Sequence, residues 1–274
     1  MKTRLFSAIG ALCLLASCNS AAPVEEPEGI HSEKLRGGAV VTWIRDTPAS
    51  RNTGTQLFPK ATPELVESLG LTDGVPSSMG AFVLRKGDEV ALFDAGMGSP
   101  DSRLIDGLAF LGLAPEDVDY VFITHLHGDH IGGMMKDGAA VFCNAEIYIS
   151  QPEYDGWLAM EGRNAQALSL YDIYAEQIKT FQFGDVLPMD IETIDAPGHT
   201  PGHTAYRRNE LIVVGDIMHA VALQMADFSI SATYDGDPEL SAKTREEIVN
   251  MAKEQKLLMA GMHFPEPAFL DYRK

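Results

Sequence analysis

His125-Leu126-His127-Gly128-Asp129-His130 follows the apolar run Val121-Phe122-Ile123 after the single residue Thr124. Four metal-capable side chains thus fall within six positions at the end of a strand-like segment. Imidazole and carboxylate suit zinc and similar divalent ions. Buried polar groups without partners cost stability, and a bound metal would supply the partners.

The other clusters of ligand-type residues also sit at strand ends or glycine turns. Pro197-Gly198-His199-Thr200-Pro201-Gly202-His203 follows an alternating strand at 191–195. Gly215-Asp216 closes the apolar strand 211–214, and Gly261-Met262-His263 closes a last strand at 257–260. Strand ends on one edge of a sheet can converge. Here they would bring together His125, His127, Asp129, His130, His199, Asp216 and His263. Seven ligands exceed one tetrahedral zinc and fit two ions sharing a bridging carboxylate.

Around these motifs, strands are expected at 39–44, 81–84, 90–93, 120–124, 141–142 and 147–149. The segments 81–84 and 90–93 flank Lys86-Gly87-Asp88, a hairpin signal. Helices are expected at 64–69, 104–111, 152–178 and from Asp237-Pro238 to about residue 255, with Asp237 as N-cap and Pro238 in the first turn. Strands and helices interleave, but hairpins link several strands, so the sheets should be mixed, not purely parallel.

On these residues the chain resembles the metallo-β-lactamase-fold superfamily over residues 38–264. Asp94-Ala95-Gly96 resembles its early strand-Asp-Gly signature. Residues 125–130 resemble its HxHxDH motif, and Pro197-Gly198-His199-Thr200 its PGHT turn. Gly215-Asp216 and Met262-His263 resemble its bridging Asp and last His. The resemblance implies an α/β fold: an αββα sandwich with two mixed sheets and outer helices. It further implies that His125, His127 and His199 bind a first ion, that Asp129, His130 and His263 bind a second, and that Asp216 bridges. Zinc is the default metal. Two ions ~3.5–4 Å apart hold a water and depress its pKa toward ~7, which makes it the nucleophile. Asp129, Asp216 and His219 are the candidate catalytic residues. His219 lies in Gly215-Asp216-Ile217-Met218-His219, a pattern similar to the methyl parathion hydrolase-like branch, whereas the lactonase-like branch often has Tyr there. Its role is either to meet the substrate oxyanion or donate a proton, or to form a plain pocket wall. His203 is read as structural or as supporting a ligand, Asp94 as an orienter of ligand loops, and His31 as solvated. The aromatics Tyr154, Trp157, Tyr171 and Tyr174 are read as core, with a substrate pocket as the alternative.

The chain has 274 residues, 45% hydrophobic and 22% charged, with a formal net charge of −18. That composition supports a sizeable core. The acidity disfavours nucleic acid as a partner, since phosphate recognition needs clustered Lys and Arg. Lys2 and Arg4 precede the apolar run 5–16, which is too short to span a bilayer as a helix. Leu15-Ala16-Ser17-Cys18 resembles the bacterial lipobox. The expected organisation is a lipoprotein signal peptide at 1–17, a tether at 18–36 and a hydrolase domain at 37–274. Lipidated Cys18 would anchor an exported, periplasmic or outer-membrane protein. Cys143 is read as a buried, inert thiol.

The leading expectation is a dinuclear metal-dependent hydrolase acting on an ester-like bond of a small molecule: a lactone, aryl ester or phosphotriester. A β-lactam-hydrolysing enzyme is the first alternative, although no Cys ligand stands between His199 and His263. A non-catalytic metal- or ligand-binding surface lipoprotein is the second. Oligomeric state is left open.

Overall fold

The computed structural model describes residues 26–162 and 165–274. The signal and lipid-attachment readings at 1–18 lie outside the described residues. Among those described, no helix is long and apolar enough to cross a membrane.

The first sheet holds seven strands: β1 (Ile30–Lys34), β2 (Val40–Arg45), β3 (Gly80–Lys86), β4 (Glu89–Phe93), β5 (Tyr120–Phe122), β6 (Glu146–Ser150) and β7 (Ile178–Phe181). The strands β1 to β4 pair antiparallel, and β4 to β7 pair parallel. The second sheet holds β8 (Val186–Leu187), β9 (Ile191–Asp195), β10 (Thr204–Arg208), β11 (Leu211–Val213), β12 (Leu258–Ala260) and β13 (Phe269–Asp271). Only β11 and β12 pair parallel there. Both sheets are mixed, as expected.

Alternation along the strands builds the layers. Val41, Trp43, Phe82, Leu84, Ala91, Phe93 and Phe122 join a core shared with Tyr206, Ile212, Val214 and Met259 of the second sheet. Ile44, Ala81, Val83, Val90, Leu92, Val121, Ile147 and Ile149 point the other way. They meet Leu104 and Leu108 of α1 (Leu104–Phe110), Trp157 of α2 (Gln151–Leu158) and Leu170 of α3 (Ala165–Ile173). A strand buried on both faces reads as a continuous apolar run, which is why these segments were legible. Helix α4 (Pro238–Glu254) opens as expected, with Asp237 accepting from the Leu240 N–H at 3.0 Å, and buries Ile248, Val249 and Ala252 with the second sheet. The result is the helix-sheet-sheet-helix sandwich.

Four expectations need correction. The segment expected as a tether to residue 36 supplies an edge strand, because Ile30–Lys34 pairs with Val40–Ile44. Its polar composition suits an edge strand as well as a linker. Glu33 pairs with Arg273 at 2.7 Å, which ties this strand to the far end of the chain. The helix expected over 152–178 breaks into α2 and α3 and ends in β7. Val141-Phe142 is not a strand; the short ladder there pairs Met135–Lys136 with Ala139–Ala140. Cys143 is exposed, not buried.

Candidate metal centre

Five chain segments reach the site from the carboxyl ends of β4, β5, β9, β11 and β12. Crevices outside the carboxyl ends of strands are the usual ligand sites of α/β sheets. Two glycines allow the close approach. Gly215 has φ +53, and a Cβ there would strike the His203 ring and Thr124. Gly198 has φ +125, and a Cβ would strike the backbone of Ser241.

The structure brings all seven expected ligands together. His125 Nε2 lies 2.9 Å from His127 Nδ1, which lies 2.9 Å from His199 Nε2. On the other side, His263 Nε2 lies 3.4 Å from Asp129 Oδ2, and His130 Nε2 lies 3.9 Å from Asp129 Oδ1. Asp216 Oδ2 sits between the two groups. It is 3.7 Å and 3.5 Å from Nε2 of His125 and His199, and 3.2 Å from Nε2 of both His130 and His263.

Outer partners fix the ring protons. Asp235 Oδ1 takes the His199 Nδ1–H at 2.8 Å, and Asp94 Oδ2 takes the His130 Nδ1–H at 2.7 Å. The Ser78 carbonyl takes the His263 Nδ1–H at 3.1 Å. The Thr124 hydroxyl donates to Asp94 Oδ2, so its oxygen accepts from His125 Nδ1 at 3.1 Å. His125 and His199 therefore turn an Nε2 lone pair inward, whereas Nε2 of His130 and His263 faces the carboxylates of Asp216 and Asp129. Facing lone pairs repel unless a cation lies between them. His130 Nε2 and Asp216 Oδ1 are also buried with no hydrogen-bond partner. Both observations fit a donor set built for divalent metal.

Electrostatics divides the groups. Burial lowers His125 well below the ordinary imidazole range and takes His127 to about 4. Burial opposes charge on His130 and His263 too, but Asp216 and other carboxylates outweigh it. His130 rises well above its usual value, and His263 to about 9. Burial would raise Asp216, yet His130, His263 and His219 hold it well below the usual carboxylate range.

The remaining candidates separate. His219 is buried on the cavity wall with Nε2 2.9 Å from Asp216 Oδ2, and burial lowers it to about 4. His203 turns away from the centre, and its Nε2 accepts the Asp216 N–H at 2.9 Å. Asp94 is fully buried and orients both Thr124 and His130. His31 is far off on β1, beside Glu33. Tyr171 and Tyr174 are core, whereas Trp157 also reaches a pocket wall.

Sequence reasoning missed Asp235, Glu153 and Tyr234. Asp235 lies in Asp235-Gly236-Asp237-Pro238, which reads only as a turn before a helix. Glu153 reads as a helix-capping residue. Tyr234 packs edge-on to His219 at 4.7 Å between ring centroids.

Two cavities meet at the centre. One, of about 600 Å³, is lined by Arg51, Asn52, Met97, Asp129, His219 and His263 among others. The second, of about 720 Å³, is lined by Trp157, Met160, Pro197, Pro201 and Leu240. His127, His199 and Tyr234 border both.

Residues 81–263 match the Metallo-beta-lactamase superfamily. The chain is 32% identical over 116 residues to the "Probable metallo-hydrolase MJ0296" of Methanocaldococcus jannaschii, covering 42% of this chain and 45% of that protein. It is 25% identical to an N-acyl homoserine lactonase of Bacillus thuringiensis over 60% of this chain and 62% of that protein. The aligned parts thus span about half to three-fifths of these relatives. The solved structure of "hydrolase AbOPH in beta lactamase superfamily" superimposes with a TM-score of 0.76 at 27% identity, covering 90% of this chain and 94% of that one.

Proposed function

The chain belongs to the metallo-β-lactamase superfamily, and on that premise we propose that it is a dinuclear metal-dependent hydrolase of ester-like bonds in small molecules. The observation that carries this reading is the position of Asp216 Oδ2, within 3.2–3.7 Å of imidazole nitrogens from both ligand groups. His125, His127 and His199 would hold one ion, and Asp129, His130 and His263 the other, with Asp216 shared. Zinc suits these donors. When bound, such ions supply an acidified water and polarise the bond under attack.

The protein's own groups do the rest. Asp235, Asp94, Thr124 and the Ser78 carbonyl hold the imidazoles in one tautomer and one orientation. His219, kept neutral by burial, is placed to carry a proton at Nε2 or to hydrogen-bond an oxygen of the substrate. The cavity lined by Trp157, Met160 and Leu240 is the more apolar and suits an acyl or aryl arm, and the more polar cavity lined by Arg51, Asn52 and Asp129 suits the remainder of a lactone, aryl ester or phosphotriester. The lactonase relative supports the lactone within this class. We also infer an exported protein anchored through lipidated Cys18, which rests on the sequence of residues 2–18 alone.

The test is a chromogenic panel of aryl esters, lactones and phosphotriesters on the zinc-loaded protein and on chelator-stripped protein. The expected outcome is turnover of at least one class that disappears on stripping and returns with metal. Full activity in stripped protein would sink the proposal.

A further inference from the structure

Glu153 is 1% exposed, sits in the first turn of α2 and touches no ligand side chain. Its carboxylate takes four hydrogen bonds. Oε1 accepts from the Leu126 N–H at 3.0 Å and from Trp157 Nε1 at 2.7 Å. Oε2 accepts from the Thr200 hydroxyl at 2.8 Å and the Gly202 N–H at 3.0 Å. All four partners donate to it, which favours the carboxylate against the burial that pushes its pKa up.

The partners are chosen by position. Leu126 stands between His125 and His127, and Thr200 follows His199. One buried anion therefore ties together the two loops that supply all three nitrogens of the first ligand group. A second contact locks the same junction: the Ser150 hydroxyl donates to the Gly202 carbonyl at 2.7 Å. Gly202 packs so closely on Glu153 that a Cβ would strike its backbone. Leu126 is directly bonded in the chain to His125 and His127 and lies three and four positions from Asp129 and His130 on the same loop, and none of the four hydrogen bonds joins Glu153 to Asp129, His130 or His263 themselves. Trp157 extends the link outward, since its ring also stands edge-on to His127 at 5.5 Å between centroids.

We infer that Glu153 is a positioning residue for the first ligand group alone, setting the separation of the His125–His127 loop from the His199 loop. The inference rests on the dinuclear reading above. Gln at 153 would keep the shape but present an NH2 to two donors. The two loops would then part by the few tenths of an ångström that metal geometry does not tolerate.

The experiment is zinc binding to stripped, full-length protein in competition with a chromogenic chelator. His199→Ala and His263→Ala identify which binding class belongs to which group. Glu153→Gln is expected to weaken the first class by about 10–100-fold, the usual effect of removing an outer partner, and to leave the second class unchanged. Thr200→Val removes one donor and keeps the carboxylate, so it should weaken the same class by a smaller factor. It carries the test if Glu153→Gln fails to fold. Equal weakening of both classes, or no change in either, overturns the assignment. Wild-type protein binding fewer than two ions overturns the dinuclear reading itself, and the assignment with it.

Discussion

The two ligand groups share Asp216 yet are built differently. The first is three imidazole nitrogens with no acid of its own; burial holds His125 and His127 neutral, with His127 taken to about 4. The second carries Asp129 beside two imidazoles drawn toward the protonated form, with His263 raised to about 9. The first group borders both cavities, whereas the second borders only the polar one. Without metal, the second group can neutralise itself through ion pairs. The first has facing lone pairs and relies on its outer partners for shape. Metal affinity at the first group should therefore depend on distant scaffolding more than affinity at the second.

The largest expected effect erases the comparison. Asp216→Ala removes the one oxygen common to both groups, leaves His219 without its carboxylate, and leaves His130 and His263 with Asp94 and Asp129 alone. Metal content by elemental analysis should fall at both groups, and turnover should drop to the level of stripped protein. Retention of one full equivalent with unchanged turnover would mean that Asp216 is not shared.

A smaller effect sharpens it. Asp235 meets His199 and is backed by Arg245 at 3.6 Å, so Asp235→Asn should weaken the first group alone by about 10–100-fold. Asp94 accepts from both the Thr124 hydroxyl, which supports His125, and from His130. Asp94→Asn should therefore weaken both groups. Chelator competition on the two variants distinguishes these patterns, and identical profiles would break the division.

The sequence was most readable where one residue served one purpose. The seven ligands follow strands whose apolar runs mark their ends, so their convergence could be expected from order alone. Asp237-Pro238 announced α4 because an N-cap is a local device. The outer partners were opaque for the opposite reason. Glu153 stands three residues after Ser150, the spacing of a capping box, in which the acid returns to its own helix start. The Ser150 hydroxyl does accept the Glu153 N–H at 3.2 Å, but the carboxylate goes to Leu126 and Gly202 instead. Nothing local distinguishes those outcomes, because partners 27 and 49 positions away in sequence decide between them. The edge strand at Ile30–Lys34 was missed similarly: pairing, not hydrophobicity, orders it.

The smallest effect tests whether the two cavities differ as the two groups do. Leu240 lies in the first turn of α4, is 36% exposed and lines the apolar cavity beside Pro197 and His199. Its side chain supports no core, so Leu240→Ala should change stability by no more than about 0.5 kcal/mol. Its backbone N–H still bonds Asp237, which keeps the helix start intact. What it loses is apolar surface for a substrate arm. A partly covered Leu contributes about 1 kcal/mol, or about fivefold in affinity, to a chain long enough to reach it. With a series of p-nitrophenyl esters of increasing acyl length, KM should rise about fivefold for the long acyl chains and stay level for acetate, with kcat unchanged. That pattern marks binding shared equally by ground and transition states. Asn52→Ala in the polar cavity should shift short and long esters alike. If Leu240→Ala also shifts them alike, the apolar cavity does not receive the acyl arm, and the asymmetry of the ligand groups has no counterpart in substrate binding.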